Sequence, residues 1–124
     1  MKRLFLEKKE DTPRVLLDKQ NRKFEISGRS MPEDAFLFYQ PIQNWIDEYV
    51  EDPEFHTIFE FNLEYFNSTS VKQLLEILFK LEKIKEKGKG IQVLWYYNEL
   101  DELMEAKGLE IKNLCDLPFE MRSF

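Results

Sequence analysis

Thr57-Ile58-Phe59-Glu60-Phe61-Asn62-Leu63-Glu64-Tyr65-Phe66-Asn67-Ser68-Thr69-Ser70-Val71-Lys72 contains a change of hydrophobic period. Over residues 57–66, Phe59, Phe61, Leu63 and Tyr65 fall on one side and Glu60, Asn62 and Glu64 on the other. That is the alternation of a strand with one buried face. Three consecutive hydroxyl residues follow. Val71, Leu74, Leu75, Leu78 and Leu81 then recur at helical spacing, widened by Ile77, Phe79 and Ile84. The spacing predicts a helix from about Ser70 to Lys87, closed by Gly88-Lys89-Gly90. Ile91 to Tyr97 reads as the next strand. Strand, helix and strand at these intervals predict a right-handed βαβ unit with parallel strands.

Upstream, residues 3–8 and 14–18 read as short strands, with a turn at Lys19-Gln20-Asn21-Arg22. Lys23 to Ser27 alternates polar and apolar and ends at Gly28, which predicts an N-terminal antiparallel pair. Ser30-Met31-Pro32-Glu33 has the form of a capping box with proline in the first turn. Ala35, Phe38, Tyr39, Ile42, Trp45, Ile46 and Tyr49 form the apolar stripe of the helix behind it. Pro41 is expected to kink or split that helix near Gln40, and the helix should end before Asp52-Pro53. Downstream, Glu99 to Lys107 reads as a third helix stopped at Gly108. The segment 109–124 is ambiguous, with Leu117 to Arg122 able to add a short strand.

A sheet covered on both faces would show continuous apolar strands. Here the strands at 23–27 and 57–66 keep polar residues on one face. The expectation is therefore an α/β fold, one domain over residues 1–124, with a mixed sheet of about four to five strands and helices mainly on one face. The open face, carrying Leu94, Tyr96 and Phe5 among polar residues, is a candidate docking surface.

Composition narrows the function. The 124 residues carry a net charge of −6, which disfavours nucleic acid and anionic membranes as partners. The lone Cys115 excludes an intramolecular disulfide and fits a reducing compartment. Met1 to Glu7 is too short for a signal-peptide core, and no segment approaches a membrane span, so a cytoplasmic location is expected. His56 is the only histidine and Cys115 the only cysteine, so no His- or Cys-based metal site can form. Gly88-Lys89-Gly90 lacks the rest of a phosphate-loop pattern. Glu33 and Asp34, Asp101, Glu102 and Glu105 are most simply read as helix-start carboxylates. No enzyme and no cofactor are expected.

The hydroxyl cluster admits two readings. Ser70-Val71-Lys72-Gln73 is a capping-box pattern, with Ser70 as N-cap and Gln73 reaching back. That leaves Ser68 and Thr69 just ahead of the cap. A phosphoryl group there would add about −1.5 to −2 charges beside a helix N-terminus, which tolerates them, while a partner packed on the site would meet a new dianion. Cap and switch are equally open on these residues alone.

Several blocks bear on the choice. Ile26-Ser27-Gly28-Arg29-Ser30-Met31-Pro32-Glu33-Asp34-Ala35, Phe38-Tyr39-Gln40-Pro41-Ile42, Trp45-Ile46, Leu63-Glu64-Tyr65-Phe66-Asn67-Ser68-Thr69-Ser70, Trp95-Tyr96-Tyr97 and Pro118-Phe119 resemble, in order, the SiaC family of regulatory phosphoproteins. The resemblance implies a STAS-like fold, similar to anti-sigma-factor antagonists, and a non-enzymatic partner switch. It implies a cognate Ser/Thr protein kinase, a PP2C-type phosphatase, and a diguanylate cyclase bound and activated by the unphosphorylated form, in cyclic di-GMP signalling and biofilm formation. The family places Thr directly after Tyr-Phe-Asn, followed by Ser-Ser. Ser68 stands at that position here, so Ser68 is the implied acceptor with Thr69 as the alternative. The candidate partner interface comprises Asn67, Ser30, Pro32, Glu33, Asp34 and Tyr39. The competing reading is a constitutive interaction module, or an antagonist-like regulator with another target.

Overall fold

A computed structural model describes residues 1–124. The order of elements is β1 (Leu4–Leu6), β2 (Arg14–Asp18), β3 (Lys23–Ser30), α1 (Ala35–Tyr49), β4 (His56–Phe66), α2 (Ser68–Glu86), β5 (Gly90–Tyr97), α3 (Glu102–Leu114) and β6 (Phe119–Ser123). The strands form one six-stranded sheet in chain order, β1 to β6. β1–β2 and β2–β3 pair antiparallel; β3–β4, β4–β5 and β5–β6 pair parallel. Right-handed crossovers taken always in one direction leave their helices on one face. One continuous core of 25 buried residues accordingly joins the strands to all three helices. The α/β architecture agrees with the sequence reading. The sheet has six strands rather than four to five, because Phe119–Ser123 pairs with β5.

Local chemistry differs from expectation in several places, each for a physical reason. Leu63 pairs with Gly28 but Tyr65 pairs with Arg29, so Glu64 is an extra residue and β4 bulges there. The bulge breaks the alternation. Tyr65 turns to the open face under the Arg29 guanidinium, 5.3 Å from the ring centroid, and Phe66 takes the core position. Opposite, Gly28 adopts φ +108°, and the Lys8 side chain lies across it.

Helix α1 is not capped by Ser30 and Glu33. Asp34 is its N-cap and accepts from the Leu37 N–H at 3.0 Å. It runs through Pro41 as a single element of 15 residues. The carbonyl that Pro41 cannot serve belongs to Leu37, and both residues face solvent, so water can take that bond. Beyond α1, Lys87, Lys19 and Lys89 donate to the Glu51, Asp52 and Pro53 carbonyls at 3.1, 2.7 and 2.9 Å and so hold the turn into β4.

Gly108 is interior to α3 rather than its stop. A Cβ there would lie 2.5 Å from Trp95 Nε1 and 2.7 Å from Met121 Cε. Glycine thus lets α3 settle onto the buried Trp95 ring. The open face is laced by its own pairs: Arg14 with Glu25, Lys8 with Glu64, and Tyr96 donating to Glu60. Leu94 is buried within that face rather than displayed on it.

Two buried hydroxyls tie α2 to the end of β3. The Ser70 hydroxyl donates to the Ser30 carbonyl at 2.9 Å and accepts from the Ser30 hydroxyl at 2.9 Å. Ser30 Oγ lies 2.6 Å from Tyr39 Oη. Each hydroxyl has one proton, so with Ser30 donating to Ser70, Tyr39 must donate to Ser30. Burial pushes the Tyr39 phenol up to about 12, against the opposing Ser30 hydrogen bond, so it keeps that proton at neutral pH.

Removing a hydroxyl from this chain strands its neighbours in the core. Ser70→Ala should cost about 1–3 kcal/mol by urea unfolding; a change below about 0.5 kcal/mol, the range of surface substitutions, would contradict the network. Gly108→Ala gains about 1 kcal/mol of helix propensity but overpacks Trp95 by about 1–3 kcal/mol. Net destabilisation is expected, and a stabilised variant would contradict the close approach of α3.

Candidate functional site

The site is built where β4 ends and α2 begins. Asn67 keeps extended backbone angles, φ −89° and ψ 173°, and its N–H donates to the Ser30 carbonyl at 3.1 Å. Its side-chain Oδ1 accepts from the Ser70 N–H at 3.0 Å and from the Thr69 hydroxyl at 2.9 Å. Asn67 is therefore the N-cap of α2, and the helix starts two residues before the predicted cap. Ser70 sits in the first turn, with its side chain turned inward. Gln73 does not reach back. It is buried, and its Oε1 and backbone carbonyl both receive the Gln43 amide at 3.1 Å.

The three hydroxyls are consequently distinct. Ser70 is fully buried, whereas Ser68 and Thr69 are exposed. The Thr69 proton is engaged by Asn67, while the Ser68 hydroxyl makes no hydrogen bond within the chain and is presented to solvent on the first residue of α2.

Ser68 and Thr69 open onto a groove of about 1100 Å³ between the N-terminal ends of α1 and α2. Glu33, Asp34, Phe36 and Leu37 stand on the α1 side and Lys72 on the α2 side. Of the predicted interface residues, Glu33 and Asp34 line this groove with exposed side chains, and Pro32 lines it while being largely buried. Asn67 is half-buried beside it. Ser30 and Tyr39 have no exposed surface. Their contribution is to position Ser70, and with it the whole first turn of α2.

Phe36 and Leu37 were absent from the sequence-based site, yet they are 69% and 68% exposed. The available signal was their place off the apolar stripe of α1. That stripe is borne by Tyr39, Ile42, Trp45, Ile46 and Tyr49, so the two bulky residues beside it had to face outward. His56 begins β4, at the opposite end of that strand from Ser68.

The fold matches SiaC of Pseudomonas aeruginosa over 100% of both chains, with a TM-score of 0.89 and 22% identity. It also matches a crystal structure of the diguanylate cyclase SiaD in complex with its activator SiaC from the same organism. There the TM-score is 0.91 at 23% identity, over 98% of this chain and 99% of the matched one. An uncharacterized protein of Pseudomonas aeruginosa (strain UCBPP-PA14) is 24% identical over 114 residues, covering 92% of this chain and 90% of that protein. The model of the family described as SiaC family regulatory phosphoprotein matches residues 6–124, and the chain belongs to that family.

Proposed function

We propose that this protein is a phosphorylation-gated, non-enzymatic activator of a diguanylate cyclase. The observation that carries the reading is the contrast within the cluster: Ser68 is exposed, unbonded and groove-facing, while Ser70 two residues on is locked in the core. A kinase can reach Ser68 without unfolding anything. The unmodified form is the one that binds and activates the cyclase. A Ser/Thr protein kinase adds the phosphoryl group to Ser68, and a PP2C-type phosphatase removes it. Support for the partner class comes from the family and from the likeness to a SiaC chain in complex with the cyclase SiaD. No helix here is long and apolar enough to cross a membrane, and we place the switch in the cytoplasm with its kinase.

The electrostatics suit a switch that leaves the fold intact. A phosphoryl group on the first residue of α2 meets the positive end of the helix dipole, and the first turn holds no acidic residue to oppose it. A partner seated in the groove meets about −1.5 to −2 additional charges in a molecule already at −6. Thr69 is the weaker acceptor because its hydroxyl is already bonded to the N-cap.

Coexpression with the cognate kinase, followed by intact-mass and fragment analysis, should give one phosphoryl group on Ser68. No added mass, or phosphate only outside residues 67–70, would refute the assignment. Ser68→Asp should weaken cyclase binding about tenfold or more while leaving the melting temperature unchanged or raised, and Ser68→Ala should bind as the unmodified protein does. Equal binding by both variants in calorimetry would argue against a charge gate.

A further inference from the structure

The solvent face of α1 changes character along its length. Beyond its first turn the exposed residues are Pro41, Asn44, Asp47 and Glu48. Its exposed large apolar side chains are confined to the first turn, where Phe36 and Leu37 are 69% and 68% exposed. Two adjacent bulky apolar side chains held in water, on a helix whose outer face is otherwise polar apart from Pro41, are the mark of a contact surface rather than of core packing. They border the groove that Ser68 faces.

The groove walls differ in charge. Glu33 and Asp34 stand on the α1 side, and Asp34 already holds the Leu37 N–H. On the α2 side Lys72 is one turn beyond Ser68 and takes part in none of the chain's salt bridges. Lys80, further along the same helix, is paired with Asp47 at 3.1 Å. Lys72 is thus a free cation beside an apolar knob. Its i, i+4 relation to Ser68 brings the two side chains onto one helix face.

We infer that Phe36, Leu37 and Lys72 form the docking surface for the cyclase, and that the occupant is an apolar segment of that partner bearing a carboxylate that meets Lys72. The inference rests on the proposed function above and adds the chemistry of the partner. A basic segment over Ser68 would be drawn in by phosphorylation, so it would not be released by it. An apolar segment with a carboxylate is released on two counts. The phosphoryl group claims Lys72 from its own helix face, and it repels the partner carboxylate across a contact that excludes water.

The test measures binding of the unmodified full chain to the diguanylate cyclase of the same organism by calorimetry. The panel is wild type, Phe36→Glu with Leu37→Glu, Lys72→Glu, and Phe55→Glu as a control. Phe55 is 81% exposed and lies before β4, roughly 35 Å along that strand from Ser68. All four should melt alike, because every altered side chain is at the surface. The double variant should lose about thirtyfold or more in affinity, Lys72→Glu about fivefold or more, and Phe55→Glu nothing. Wild-type binding matched by the double variant overturns this surface while leaving the function intact. Wild-type binding matched by Lys72→Glu alone overturns the partner carboxylate. No binding by wild type overturns the function and this inference with it.

Discussion

The Ser30 carbonyl at the end of β3 accepts both the Asn67 N–H and the Ser70 hydroxyl. One acceptor thereby fixes where β4 stops, where α2 starts and which hydroxyl points inward. The Ser30 hydroxyl extends the junction through 2.6 Å to Tyr39 on α1. Both helix beginnings are therefore referenced to one strand end across 40 residues of chain. The network lies in the core, where an unmade bond carries its full desolvation cost, so the register of α2 is strongly specified. The outward presentation of Ser68 follows from that register.

For the proposed switch, the contrast between the buried and the exposed hydroxyl is what matters. A helix start that was loosely held could absorb a phosphoryl group by fraying or sliding. Here Ser70 is anchored, so charge added at Ser68 has nowhere to relax except into solvent, the groove and any partner within it. In the proposed switch the same anchoring separates stability from regulation: the residues that hold the turn are not Phe36, Leu37 and Lys72, the surface inferred to meet the partner. Pro32 and Asp34 set the opposite wall of the groove by starting α1 beside it.

Much of the fold was legible in the sequence, and the failures share a cause. The β4–α2–β5 unit, the apolar stripes and the half-covered sheet follow from period alone. The Ser-x-x-Glu and Ser-x-x-Gln patterns were locally sound capping boxes, but Asp34 and Asn67 cap these helices because Ser30 and Ser70 were taken by a tertiary hydrogen-bond chain. Period could not foresee the Glu64 bulge that exchanges Tyr65 for Phe66. Gly108 reads as a stop until the Trp95 ring beneath it is known. At the site, the hydroxyl cluster and the Glu33-Asp34 segment were visible as residues, but their meeting across a groove was not. Phe36 and Leu37 were hidden by their neighbours: in a run of apolar residues, only the angular position on the helix separates core from surface.

The central proposal is that a phosphoryl group on Ser68 switches partner binding off. Its most direct test is the affinity of the diguanylate cyclase for the protein quantitatively phosphorylated at Ser68, measured before and after phosphatase treatment of the same sample. The account predicts weak binding that returns fully to the unmodified affinity once the phosphoryl group is removed. The same affinity before and after treatment would contradict it.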